Sequence, residues 1–457
     1  MEIIKTSKKE KILYAVGDFG SNIIWPFVGS FLMQYLTDNI YISSAFLGTM
    51  MLICRMFDGV SDILMGLLIE RTHSSKGKAR FWFGVSIVPI CAAFALLFIA
   101  PKGNLALAKV YVVFMYFLFT VVLYTANNLS YHAMLSRMTN DPLDQSKVSA
   151  IRTIAAGVGL GISTVIVPVL LNHIGGIKSQ KAVLIIVIPC AVIAMVAMLI
   201  CYFCVKEKPE ITAKADESRQ KGDIGRGLKL LFKTKYFYIA IGIFILNYMI
   251  INLQQSMGPY YTRDVLGNGD YYSMFNMFPM ATQFLGVILS PIFLKKFGKR
   301  TDMMISGASI ALGAIVSVLA PRNMIVCLIG LVIKGLGVGI LSVEMFTLAP
   351  DIIRYIEQEQ GMRIEGLATA ANSFGCKIGT GFGLALAGWG LSWGHYNGKL
   401  AVQSALTLRW EVIIEWGFPI VASVLILVLA AFWNIESKFQ SAPSGKGDSP
   451  SAEEAAE

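Results

Sequence analysis

Charge is scarce in this 457-residue sequence: Asp, Glu, Lys and Arg together make up 15% of it, against about 25% in a typical soluble domain. With 55% hydrophobic residues, too little polar surface remains to cover a water-soluble fold. Histidine is scarcer still, with four in the chain and none at metal-ligand spacing. There is no P-loop, no GxSxG elbow and no HExxH helix, so ATP hydrolysis and membrane-embedded proteolysis have no motif to rest on and no enzymatic activity is expected. The seven cysteines all fall in apolar stretches, where a thiol is ordinarily a small packing residue. Cys201 and Cys204 form a lone CxxC at the end of such a stretch, which is weak support for redox chemistry.

Long apolar runs are abundant. Twelve windows reach the length and hydrophobicity of a membrane span: 12–37, 43–69, 82–100, 106–133, 147–172, 182–205, 236–262, 271–294, 302–320, 324–349, 365–391 and 410–434. They are too long and too uniformly apolar for outer-membrane barrel strands. The fold class is therefore an all-α polytopic membrane protein of twelve transmembrane helices. The basic start "MEIIKTSKKEK" precedes a long span without a small-residue cleavage site, so that span is expected to be retained.

One long hydrophilic stretch separates six spans from six, which predicts an N-terminal half at 1–205, a cytoplasmic middle loop at 206–235 and a C-terminal half at 236–434. The tail at 435–457, rich in Ser, Pro, Gly and Glu, is expected to be disordered and cytoplasmic. Gly77-Lys78 after span 2 and Gly298-Lys299 after span 8 occupy equivalent places, as in an internal repeat. Of 39 basic residues, 27 fall in one alternating set of segments and eight in the other. The positive-inside rule then places both termini in the cytoplasm of a multi-pass cell-membrane protein, and the net charge of +10 needs no nucleic acid. A monomer is expected.

Within the spans lie Arg55, Arg152, Lys334, Lys377, Asp18, Asp58, Asp62 and Glu344. Each charge costs about 2.5–3.5 kcal/mol at the centre of a helix on insertion scales, so these residues must face one another or a polar interior. Arg55, Asp58 and Asp62, spaced i, i+3 and i+7, share one face of span 2. One arginine leaves one carboxylate over. A hard cation such as Na+ or Li+, with Ser61 and Thr125 as further oxygen ligands, would balance it, and so would a shared proton. A neutral network of Asp18, span 2 and Arg152 that holds helices together is the third possibility. In span 11, Gly375, Gly379 and Gly383 repeat every four residues and would admit a neighbouring helix, which leaves Lys377 on another face, toward a cavity. Sugars are bound by hydrogen bonds and aromatic faces. Asn22 and Trp25 near Asp18, with Asn128, Tyr131 and His132 in span 4, are of that type, while Tyr124, Trp389 and Trp393 read equally well as interfacial or packing residues.

"YAVGDFGSNIIW", "RMFDGVSD", "ERTHSSKGKARFW", "YTANNLSYHAMLSRMTNDP", "AIRTIAAGVG", "KKFGKR" and "APDIIRYIE" occur in this order along nearly the whole chain. Together they resemble the glycoside-pentoside-hexuronide:cation symporter family, the melibiose-permease-like branch of the major facilitator superfamily. The resemblance implies a twelve-helix major facilitator fold and alternating access. It also implies a small-molecule sugar substrate, a coupling cation (Na+, Li+ or H+) and no other cofactor. The cation site would fall on Asp58 and Asp62, as metal ligands if the ion is Na+ or Li+, helped by Ser61 and Thr125, with Arg55 in a charge network. Substrate contacts would fall on Asp18, Asn22, Trp25, Asn128, His132, Arg152 and Lys377. Where melibiose-type members carry carboxylates in spans 1 and 4, this chain has Asn22 and Asn128, and His132 and Ser342 replace tryptophans. An α-galactoside does not carry over. The remaining positive charges of Arg152, Lys377 and His132 favour an anionic sugar such as a hexuronate or glucuronide, whereas the asparagines suit a neutral glycoside or pentoside and Asp18 would offset one positive charge. A lipid-like solute on the same scaffold, or a non-transporting sensor, are the rival readings.

Overall fold

A computed structural model describes residues 4–208, 232–360 and 365–435. Most of the predicted middle loop, and the tail beyond Ile435, lie outside the described residues. Every predicted span is helical: α1 (Lys8–Asp38), α2 (Ser44–Arg71) and α3 (Lys78–Leu97), then α4 (Leu105–Met138), α5 (Pro142–Ile174) and α6 (Gln180–Cys204). After the middle loop come α7 (Lys235–Asp264) and a helical run Tyr271–Leu319 that breaks at Gly298 into α8 (271–297) and α9 (299–319). α10 (Met324–Gln360), α11 (Glu365–Trp393) and α12 (Ala405–Ala431) complete twelve helices among the described residues. α1, α2 and α11 fall short of the apolar length and composition that the other helical runs satisfy. These are the helices that carry Asp18, Arg55, Asp58, Asp62 and Lys377, so polarity is concentrated where an interior site is built.

The two Gly-basic turns have the same backbone. Gly77 has φ +100° and Gly298 φ +76°, a left-handed region in which a Cβ is strained. Behind Gly77, the free backbone N–H groups of Lys78 and Arg80 donate to the carboxylate of Glu207 at 3.0 and 2.6 Å, which caps the start of α3. Behind Gly298, Lys299 pairs with Asp351 of α10. The repeat read from the loops therefore extends to backbone geometry.

Three packings join the earlier six helices to the later six: α2 along α11, α1 along α7, and α5 against α8. Glycine sets the distance in the first. A Cβ on Gly381 would lie 3.0 Å from the side chain of Arg55, and one on Gly388 2.4 Å from the carbonyl of Ser44. The predicted stripe of Gly375, Gly379 and Gly383 faces α7 instead, against Phe244, Ile245 and Met249. Lys377 is thereby turned toward α2.

The apolar core shows how the halves meet. One buried cluster fills α1 to α6 and continues into the ends of α7, α11 and α12 that lie away from the chain termini, through Met257, Tyr260, Leu391 and Trp416. A second cluster, with Tyr236, Phe244, Met345 and Trp433, fills the opposite ends of the later helices. The halves thus share one core at the end far from the termini and have separate cores at the terminal end. At the joined end Arg263 of α7 bonds Asp38 of α1, and Tyr396 donates to Asp38 at 2.6 Å. Thr37 and Tyr260 hydroxyls meet at 2.8 Å beside them.

Gly77→Ala should destabilise the protein by about 1–2 kcal/mol, since it adds a strained φ and places a Cβ 2.7 Å from the Glu207 carboxyl. Gly66→Ala, where a Cβ meets nothing within 4 Å, is the control. Thermal unfolding of both variants in detergent checks this, and equal midpoints would contradict the assigned turn.

Candidate functional site

Between the halves, midway along the helices, lies a cavity of about 370 Å³. α1 contributes Trp25, α2 contributes Arg55, Asp58 and Asp62, and α4 contributes Tyr124, Thr125, Asn128 and His132. From the other half α7 adds Tyr248 and Asn252, and α11 adds Ser373, Lys377 and Thr380.

The face predicted for α2 is present, and its charges are paired. The Arg55 guanidinium donates to Asp58 at 2.7 Å, and both side chains are buried. On α2 alone one carboxylate is left over. In the structure Lys377 of α11 supplies the missing charge: its ammonium lies 2.6 Å from Asp62 and also donates to the backbone carbonyl of Asp58 at 2.8 Å. That partner lies 315 positions away in sequence and becomes visible only once α11 packs along α2. Thr125 is 3.4 Å from the second oxygen of Asp58, and the hydroxyls of Ser61 and Thr125 are 3.1 Å apart. Asp58, Ser61 and Thr125 are thereby linked, and the Lys377–Asp62 pair adjoins them through the Asp58 carbonyl.

Tyr124 and Thr125 owe their positions to a π-helical segment, Leu118–Tyr124, within α4. Such a bulge shifts the following residues around the helix axis, a feature common at functional sites. Tyr124 stacks on Trp25 at 3.7 Å, while the Arg55 guanidinium lies over the same indole at 4.2 Å. Both faces of Trp25 are then covered, so Trp25 cannot be the stacking platform for a sugar. It clamps Arg55, and its edge meets the cavity.

Beyond His132 lies a second charged group. Arg152 pairs with Asp18 at 3.5 Å and bonds the ring of His132. Asn22 donates to the carboxylate of its neighbour Asp18 at 3.1 Å. Arg152 therefore does not stand free, and Asn22 is a support for Asp18. Tyr131 is not in the site: it is fully buried, stacks on Tyr14 at 4.4 Å and exchanges hydroxyl-to-carbonyl hydrogen bonds with it. Three cations, Arg55, Arg152 and Lys377, each rest on one carboxylate, Asp58, Asp18 and Asp62. Arg152 and Lys377, the charges that favoured an anionic sugar, thus each have a carboxylate partner.

Lys334 and Glu344 do not meet. The Lys334 ammonium lies over Trp416 at 5.6 Å, and Glu344 accepts from Thr347 at 3.3 Å. Glu411 and Glu415, one helical turn apart in α12, are fully buried, and their carboxylates have no hydrogen-bond partner among the described residues. They stand inside the predicted span 410–434 and belong to the same class of buried charge.

A twelve-helix membrane bundle with a polar, ion-paired cavity between its halves is the architecture of a secondary transporter. Residues 13–437 match the sequence model of the MFS/sugar transport protein family, and the chain belongs to that family. It is a multi-pass membrane transporter of the major facilitator type, in a family of sugar transporters, and it is not an enzyme. The chain is 27% identical to the inner membrane symporter YicJ of Escherichia coli, over 93% of this chain and 91% of that one. It is 26% identical to the isoprimeverose transporter of Lactiplantibacillus pentosus, over 93% and 88%. Among solved structures, a D-xylose-proton symporter superposes with a TM-score of 0.63 at 13% identity, over 91% of this chain and 96% of that one.

Arg55→Lys should lower the unfolding midpoint in detergent. The charge facing Asp58 is retained, while the flat guanidinium sandwiched against Trp25 is lost, at about 1–2 kcal/mol. An unchanged midpoint would show that the clamp contributes nothing.

Proposed function

We propose that the chain takes up a neutral glycoside or pentoside with a cation bound at Asp58 and Asp62, and that Lys377 links the two events. The observation that supports this most is the Lys377 ammonium 2.6 Å from Asp62 and 2.8 Å from the Asp58 carbonyl. A side chain from one half stands where a small cation would be held by the other. Na+ or Li+ entering among Asp58, Asp62, Ser61 and Thr125 gains oxygen ligands and repels the ammonium, and a proton on Asp62 weakens the same pair. Lys377 then swings into the cavity, where it can donate to sugar hydroxyls. Cation and sugar thereby raise each other's affinity, and by thermodynamic necessity to the same degree. Before the cation arrives, the three ion pairs sum to zero.

With the basic ends of the helices placed in the cytoplasm by the positive-inside rule, the joined end is read as the outer one and the cavity as opening inward. The Asp38–Arg263–Tyr396 contacts close its outer side. All residues of the site come from one chain, so a monomer suffices.

Asp58→Cys should abolish cation-driven accumulation in right-side-out vesicles while the protein remains in the membrane. Unchanged accumulation would remove the cation site from Asp58. In the same vesicles a methyl xyloside, melibiose and a glucuronide are compared under imposed Na+, Li+ or proton gradients. Accumulation of a neutral glycoside with one of these cations is expected. Accumulation of the glucuronide alone would overturn the neutral-substrate reading.

A further inference from the structure

A second cavity, of about 140 Å³, adjoins the charged one, and Ile251 of α7 stands in the wall of both. At about 30 Å³ per water it has room for roughly five water molecules. Its walls come from both halves, with Leu160 and Thr164 of α5 facing α7, α8 and α10. A solute carried between the halves therefore passes alongside it.

The chemistry of the two cavities differs. The first has rings and ion pairs, whereas the second has no aromatic residue in its lining and four side-chain amides. Two of these are already engaged: Gln255 donates to the Pro26 carbonyl at 3.2 Å and Asn276 to the Tyr272 carbonyl at 2.8 Å. Gln254 and Gln283 are only partly buried and make no hydrogen bond among the described residues. Each can offer two donors and one acceptor. The rest of the lining includes the aliphatic side chains of Leu160, Ile250 and Val338. A lining that mixes amides with hydrocarbon matches a sugar ring, which carries hydroxyls at its rim and C–H groups on its faces. An anion is not what this cavity accommodates: Lys334 borders it, but the ammonium is sealed off and turned to the face of Trp416 at 5.6 Å.

We infer that the second cavity is a sugar subsite that holds the remaining unit of a two-unit neutral glycoside whose first ring occupies the charged cavity. Gln254 and Gln283 would then set the preference for a disaccharide over its monosaccharide. The inference rests on the sugar-transport reading above and adds the size of the substrate to it.

Proteoliposomes holding the full chain are assayed for uptake and for competition by matched pairs: xylose with xylobiose, galactose with melibiose, and glucose with cellobiose. The wild type should take up at least one disaccharide with a lower KM than its monosaccharide. In a Gln254→Leu/Gln283→Leu double variant the ratio of the two KM values should shift against the disaccharide by about tenfold, the loss of two ordinary hydrogen bonds. If the double variant is not recovered from membranes, the single Gln254→Ala and Gln283→Ala variants are read by the same ratio. A wild type without disaccharide preference, or a variant with an unchanged ratio, would overturn the subsite while leaving transport standing. A wild type that takes up no sugar of the panel would overturn the transport reading and the subsite with it.

Discussion

One ion pair that crosses between the halves, Lys377 on Asp62, organises the centre of this molecule. A carboxylate at mid-membrane needs a positive partner, because in hydrocarbon an unpaired charge is costly. Arg55 is already committed to Asp58 and held there by Trp25. The partner of Asp62 therefore comes from the other half, and the glycines of α11 allow it: Gly375, Gly379 and Gly383 seat that helix on α7, while Gly381 and Gly388 let it approach α2. Electrostatics inside the site and the relative placement of the two halves become one variable. Whatever alters the charge on Asp62 alters how firmly α2 and α11 are held.

The rest of the site supports that pair or extends it. The π-helical segment before Thr125 brings its hydroxyl beside Ser61 and Asp58, and stacks Tyr124 on the clamp that holds Arg55. Arg152, Asp18 and His132 form a second neutral group at the cavity's side. At the joined end, a fully buried Asp38 holds Arg263 and Tyr396. This end and the central pair are separate polar ties between the halves, which is the arrangement alternating access requires: one can hold while the other is released.

The amphipathic features of single helices were legible in the sequence. The twelve apolar runs, the shared face of Arg55, Asp58 and Asp62, the glycine stripe of α11 and the repeated Gly-basic turns are local patterns, and each has its counterpart in the structure. Pairings between helices were not legible, because nothing within one helix specifies which face of another it meets. Lys377 read as a free charge near a cavity and is in fact the counter-ion of Asp62. Trp25 read as a platform for sugar and has both faces covered. Asp38 and Arg263 lie at helix ends, where charges are ordinary, so their contact across the halves left no mark in the sequence. Glu411 and Glu415 were within reach, since two acids one turn apart in an apolar run carry the same signal as Asp58 and Asp62.

Competition between a coupling cation and Lys377 for the same carboxylates is tested most directly by titration of purified protein. Na+, Li+ and, at constant ionic strength, H+ are added to the wild type and to Lys377→Gln while thermal unfolding is followed. Competition predicts that the variant saturates at a cation concentration lower by about tenfold, the equivalent of about 1.4 kcal/mol. Equal or weaker cation affinity in the variant would contradict it.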